Sequence, residues 1–349
     1  MENQKSLQPK LRRDRMSYVL KFGEQGAAYG QFAEPSGVAV SLATEDIYIA
    51  DANNHRIQVF DKWGKFKYHF GEGRLKFPNR VALSAISGEV VVSERPPVHQ
   101  IQVYDASGAF LVKFGSKHLR HPRGLTVDHH NRVVVVECKV MRVFVFSLRG
   151  DLLHSFDCAS SIQFPNAVAV SRSEEIYISD NRSHCVKVFN FAGECLRVLG
   201  GAGVTNYPIG VLLDERSGTL AVVDNYNNLN VTLFRAADGA VLAAFESSVK
   251  HQQCLDVAPF GADGSTIVVT SKDLQVYIYR IKAEVGGVGC GLVAQQQLSQ
   301  QQQQQQQQQS RRSFGSSQAS SSAGSVNQQQ QQQFQQLSIG ASLNGNSSS

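Results

Sequence analysis

Five acidic residues, Asp51, Glu94, Glu137, Asp180 and Asp224, recur in register along the chain, each at the end of an apolar run. Carboxylates can act as general acids and bases or ligate a metal, but only when further groups converge on them. The ten histidines contain no HExxH or H-x-H spacing, and the six cysteines (138, 158, 185, 195, 254 and 290) contain no CxxC or CxxxH. Gly200-Gly201-Ala202-Gly203 lacks the Lys-Ser/Thr and the following helix of a phosphate-cradling loop. No nucleophile–base pair can be argued from spacing. The five acids are therefore expected to hold loop backbone N–H groups, and neither enzymatic activity, a metal nor a cofactor is expected.

A different set of residues follows these acids. Asn53, His55 and Arg56 come after Asp51, Arg95 and His99 after Glu94, Cys138 and Lys139 after Glu137, and Asn181, Arg182 and His184 after Asp180. A second group lies at or near recurring prolines: Arg74, Lys76, Phe77, Arg80, Lys117, His118, Arg120, Arg123, Phe164, Tyr207 and Lys250. In an up-and-down four-stranded unit both groups emerge at one end, where bases outnumber acids about two to one. The opposite loops carry Glu45, Asp61, Glu89, Asp105, Asp151, Glu174, Glu194 and Asp238, a polarity that the net charge of +5 conceals. A basic face with aromatic, Asn and His side chains suits unpaired nucleotides: cations take phosphates, rings stack on bases, and amides reach base edges. The same charge would also suit a merely solvated surface.

What must position these loops is a repeat of 43 to 46 residues. Its anchor is a proline before a short apolar run, at Pro35, Pro78, Pro122, Pro165 and Pro208, with a sixth copy at Cys254-Leu-Asp-Val-Ala that lacks the proline. Each unit holds four apolar runs, as in Val38–Val40, Ile47–Ala50, Ile57–Phe60 and Phe66–Phe70, separated by turns such as Asp61-Lys-Trp-Gly64. Such units cannot bury their own faces and must pack on one another. The pattern predicts an all-β, six-bladed β-propeller over residues 16–283, with Ser17–Phe22 completing the last blade and latching the ring. Residues 1–15 read as a disordered basic leader, and 284–349 as a disordered Gln/Ser/Gly-rich tail containing Gln300–Gln309 and Gln328–Gln333. That tail could be solvated or serve self-association. No run of about 18 apolar residues is present, so no membrane span is expected. The irregular cysteines fit reduced thiols in a reducing, cytoplasmic setting.

At Asn53-Asn-His-Arg-Ile-Gln-Val-Phe60, Glu137-Cys-Lys-Val-Met-Arg142 and Asp180-Asn-Arg-Ser-His-Cys-Val-Lys-Val-Phe189 the chain resembles the NHL-repeat propellers of the tripartite-motif–NHL family. The resemblance covers essentially the whole repeat region. It implies binding of single-stranded, U-rich RNA on one face, translational repression of target messages and restraint of growth, with Pumilio- and Nanos-type partners. By matching motifs it places RNA contacts at Asn53, His55, Arg95, Arg123, Cys138, Lys139, Phe164, Asn181, Arg182 and Tyr207. In this reading Arg95, Arg123, Lys139 and Arg182 take phosphates or stack, Phe77, Phe164 and Tyr207 hold bases, and Asn53, Asn181 and His184 read edges. The family's Tyr-Pro-Asn-Arg is Phe77-Pro-Asn-Arg80 here, which keeps a stacking ring and loses a phenolic hydrogen bond. The family's zinc-binding B-boxes and coiled coil are absent from this sequence, so the propeller is expected to be monomeric. The alternative is a protein-docking scaffold that recruits co-repressors through the same face.

Overall fold

The computed structural model describes residues 11–261 and 264–281. The expected tail at 284–349 and the first ten residues of the expected leader lie outside them. The fold is a β-propeller, built of four-stranded antiparallel sheets. In the first repeat the strands run in order Pro35–Val40, Ile47–Asp51, Arg56–Phe60 and Phe66–Phe70. The sheets that begin at Pro78, Pro122 and Pro165 repeat this order. The strands of the fifth repeat, from Pro208–Asp214 to Val241–Ser247, share a sheet with the sixth, Cys254–Phe260, Thr266–Ser271 and Val276–Arg280.

The N-terminal strand Asp14–Phe22 joins those two repeats. Its Asp14–Met16 portion pairs in parallel with Phe245–Ser247, and its Ser17–Phe22 portion pairs antiparallel with Val276–Arg280. Ordered strand therefore starts inside the segment expected to be a leader. Backbone ladders are not its only anchor: Arg13 donates to the Val204 carbonyl at 2.8 Å and Arg15 to the Ser247 carbonyl at 2.9 Å. The innermost strands pack in sequence from Pro35–Val40 round to Cys254–Phe260, which packs in turn on Pro35–Val40.

Burial is greatest in the second strands of the sheets and least in the outer ones, which explains the two sequence textures. Second strands such as Ile47–Asp51, Val90–Glu94 and Ile176–Asp180 are buried throughout and read as continuous apolar runs. Outer strands such as Phe110–Phe114 alternate between half-buried and exposed residues. The cores lie between neighbouring repeats: Ile57 and Val59 of the first pack with Val81, Val90 and Tyr104 of the second. Turn glycines allow that packing. Gly64 has φ +77°, and a Cβ there would lie 2.5 Å from the Phe22 ring of the N-terminal strand.

Candidate nucleic-acid interface

The face is assembled by the five recurrent acids, all fully buried. Each inner strand begins with its proline, or Cys254, beside the end of the second strand; Pro35 faces Asp51 and Pro208 faces Asp224. From there the carboxylate reaches the loop before the proline. Asp51 accepts the N–H groups of Ala33 and Glu34, Glu94 that of Lys76, Glu137 those of Arg120 and His121, and Asp180 those of Gln163 and Phe164. The residue after the acid then donates its N–H to the carbonyl of the residue before the proline: Ala52 to Glu34, Arg95 to Phe77, Cys138 to His121 and Asn181 to Phe164. Each of the first four repeats thus presents a fixed pair of side chains at the same level of the ring. These pairs are Glu34 with Ala52, Phe77 with Arg95, His121 with Cys138, and Phe164 with Asn181. The carboxylates of the first four repeats, satisfied in this way, are a rigid mount rather than a reactive group, whereas Asp224 keeps one buried oxygen without a partner and burial pushes its carboxyl up.

The expected site residues gather on this mount in three clusters. In the first, the half-buried Phe164 ring lies between two guanidiniums, 4.8 Å from Arg123 and 5.5 Å from the exposed Arg182. Arg123 also meets the Cys138 thiol; burial lowers the Arg123 pKa and raises that of Cys138, each partly offset by the other's charge. The Arg123 Nε is buried without a partner, a cost that the surrounding packing must offset. Asn181 links this cluster to the next repeat by donating to the Pro208 carbonyl at 3.3 Å. Lys139 is exposed at the rim, its backbone N–H held by Glu137 at 2.7 Å.

The second cluster joins the first two repeats. His55, at φ +58°, donates through Nδ1 to the Lys76 carbonyl and sets its ring edge-on to Phe77 at 5.1 Å. Arg95 lies 5.9 Å from the Phe77 ring and 3.5 Å from the Asn53 side-chain amide oxygen, Oδ1. It is not a free cation, however: both its terminal nitrogens are clamped by Glu34, at 2.7 and 2.5 Å. In the third cluster His184 sits edge-on to Tyr207, centroids 4.4 Å apart, and its Nδ1 accepts the Tyr207 N–H at 3.2 Å. Tyr207 is 47% exposed and has φ +57°, a backbone state that a bulky residue adopts only when held there.

The sequence tally of bases on this face is too generous. Arg56 is only 3% exposed and turns inward to Asp51 at 3.2 Å. Arg80 is buried at the axis and pairs with Asp256 at 2.9 Å. The third residues of the described inner strands are Gly37, Arg80, Gly124, Ala167, Gly210 and Asp256, so the small residues leave room for an ion pair that reaches past Gly37 from the second repeat to the sixth. Burial pushes the Asp256 carboxyl up, while Arg80 and the Val38 N–H oppose that shift. Arg80 further donates to the carbonyls of Ser36, Leu255 and Arg123, which ties the axis to a residue of the first cluster. Sequence reasoning missed Glu34 and Asp256, and it gave no role to Tyr226 although the loop after Asp224 falls on this face. Glu34 stands before Pro35, where later repeats place Phe77, His121, Phe164 and Tyr207, so its register was a usable signal. Among the described residues no helix is long and apolar enough to cross a membrane.

A model of the NHL repeat matches residues 32–60 and 163–189, the segments that carry the first and fourth of these pairs. The chain is 53% identical over 275 residues to the Drosophila melanogaster protein brain tumor, covering 77% of this chain and 26% of that protein. It is 50% identical over 291 residues to the B-box type zinc finger protein ncl-1 of Caenorhabditis elegans, covering 82% of this chain and 34% of that protein. The chain therefore spans about a quarter to a third of the length of these relatives. The human E3 ubiquitin-protein ligase NHLRC1 is 32% identical over 104 residues, 27% of this chain and 26% of that protein. Among solved structures, a chain of a nidogen/laminin complex superposes with a TM-score of 0.50 at 18% identity, over 60% of this chain and 79% of that one. That likeness concerns the fold alone.

Proposed function

We propose that this chain, an NHL-repeat β-propeller, is a single-stranded RNA-binding module selective for U-rich sequence. It works without enzymatic chemistry, as a monomer, in cytoplasmic repression of target messages. The observation that carries this reading is the Phe164 ring set between Arg123 and Arg182. Protein docking does not require an aromatic plane flanked by two cations, whereas a nucleotide uses both, the base against the planar groups and the phosphate on the guanidiniums. Cys138 and Asn181 stand beside that ring at the height of a base edge, and His55, Phe77, Arg95 and Asn53 offer a second such set. Lys139 at the rim adds positive charge for the backbone. The extended match to the brain tumor and ncl-1 proteins supports the regulatory part of the proposal, in which Pumilio- or Nanos-type RNA-binding proteins share the message.

The test is a fluorescence-anisotropy titration with short U-rich, A-rich and C-rich RNAs, beside an Arg95/Arg123→Ala variant. Tight U-rich binding, lost in the variant and weakening with salt by a log–log slope of about −0.7 per neutralised phosphate, is the expected result. Weak binding that is equal for every sequence and for the variant would overturn it and turn attention to protein partners.

A further inference from the structure

The fifth repeat carries a second exposed aromatic side chain that the reading above leaves unused. Tyr226 follows Asp224 by two residues and is 49% exposed. Its ring lies stacked beside Tyr207, centroids 6.3 Å apart and planes 30° from parallel. Apart from His184 against Tyr207, no ring or cation among the described residues packs on the pair, and both backbones are locked. The Tyr226 N–H is held by Asp224 at 3.1 Å and its carbonyl takes the Asn230 amide at 2.9 Å. Asn225, beside it, exchanges two bonds with the Cys254 backbone, at 2.7 and 3.1 Å. Tyr207 is pinned in its left-handed conformation by His184. Two half-exposed tyrosines on rigid mounts, one of them at a backbone cost, mark a surface kept for a ligand.

The next loop supplies charge at this edge. His251 donates its N–H to the Asn228 side chain at 3.3 Å, which fastens the loop of the exposed Lys250 against the Tyr226 loop. On the strength of the RNA reading, we infer that Tyr226 is a further base-stacking subsite. It extends the strand's path past Tyr207 by about one nucleotide, whose phosphate is met by Lys250. Stacking needs only a π-face, so this subsite adds affinity for length without selecting a base. The tyrosine hydroxyl is not required.

The experiment is an affinity series of the full chain with U-rich RNAs lengthened one nucleotide at a time from either end, comparing the unaltered protein with Tyr226→Ala, Tyr226→Phe and Phe164→Ala. Tyr226→Ala is expected to weaken the longer RNAs by about 5- to 150-fold and leave the shorter ones unchanged. Its salt slope stays that of the unaltered protein, because no phosphate contact is lost, and Tyr226→Phe binds normally. A Tyr226→Trp variant gives a readout free of affinity: its emission is quenched by the longer RNAs only, against the single native Trp63. If Phe164→Ala weakens binding while Tyr226→Ala matches the unaltered protein at every length and the tryptophan is not quenched, the subsite is refuted and the RNA face stands. If neither Phe164→Ala nor Tyr226→Ala has an effect, the RNA reading itself falls.

Discussion

Removing Asp256 should unfold this propeller more readily than any loss of an exposed side chain. Its carboxylate and the Arg80 guanidinium lie 2.9 Å apart, 11% and 9% exposed, and the other carboxylate oxygen accepts the Val38 N–H at 3.0 Å. Asp256→Ala leaves Arg80 buried with its charge unpaired and orphans that N–H, a change that typically costs about 3–5 kcal/mol. Asp256→Asn retains an acceptor for Val38 and should cost less. The double variant Arg80→Met with Asp256→Leu removes both charges, so it should recover about 2 kcal/mol or more of the Asp256→Ala deficit. It does not recover everything, because the carbonyls of Ser36, Leu255 and Arg123 lose their donor. Equilibrium urea denaturation of the full chain measures all three. An Asp256→Ala deficit below about 1 kcal/mol, or a double variant no more stable than Asp256→Ala, would refute the claim that the pair is a buried, mutually compensating unit.

Three further outcomes follow from the same geometry. Gly37→Ala should destabilise by about 1–3 kcal/mol, because its Cβ would lie 2.5 Å from the Asn79 carbonyl oxygen and 2.9 Å from the Arg80 Cα. Gly124→Ala, where the nearest atoms are at 3.1 Å, should be milder, and thermal melts giving the reverse order would sink the argument. Glu34→Gln frees Arg95 from its clamp, so RNA affinity should rise at low salt and the log–log salt slope should steepen by about 0.7; an unchanged slope would show that Arg95 does not meet a phosphate. Burial among Tyr277, Tyr279 and Ser247 lowers the His251 pKa below its ordinary value. The unfolded chain then binds more protons in mild acid, so stability from this group is present above about pH 6.5 and is lost as pH falls toward its folded pKa. A His251→Gln variant should have a flatter stability curve between about pH 7 and 5, and an equally steep one would assign the acid sensitivity elsewhere.

The propeller class and the face were legible because they rest on short-range regularities. Each proline and each strand-ending acid recurs in register, and register fixes which end of a blade a loop leaves from. Charge counting was less reliable, since it cannot tell an exposed Arg182 from an Arg56 turned inward on Asp51. Partners across repeats were out of reach for a different reason. Arg80 and Asp256 occupy the same register position, yet their contact requires the first and last repeats to be neighbours. Glu34 was overlooked because attention went to the rings at its register position, although a carboxylate there determines whether Arg95 is available. The extra length of the N-terminal strand, back to Asp14, depends on parallel pairing with Phe245–Ser247. No alternation within Asp14-Arg15-Met16 announces that pairing.

Arg80 and Asp256 also govern how a polymer can reach this face. The space at the centre of the ring is about 60 Å³, bounded by Val38, Leu125, Val168 and Val211, with the two charged side chains set into its wall. It has room for a few water molecules and none for a nucleotide. A strand bound as proposed could not be threaded through such a ring, as it is through a clamp that encircles its substrate; it would be laid on from the side and lifted off the same way. Loading therefore requires no free end, and a segment in the interior of a long molecule is as accessible as one at its terminus.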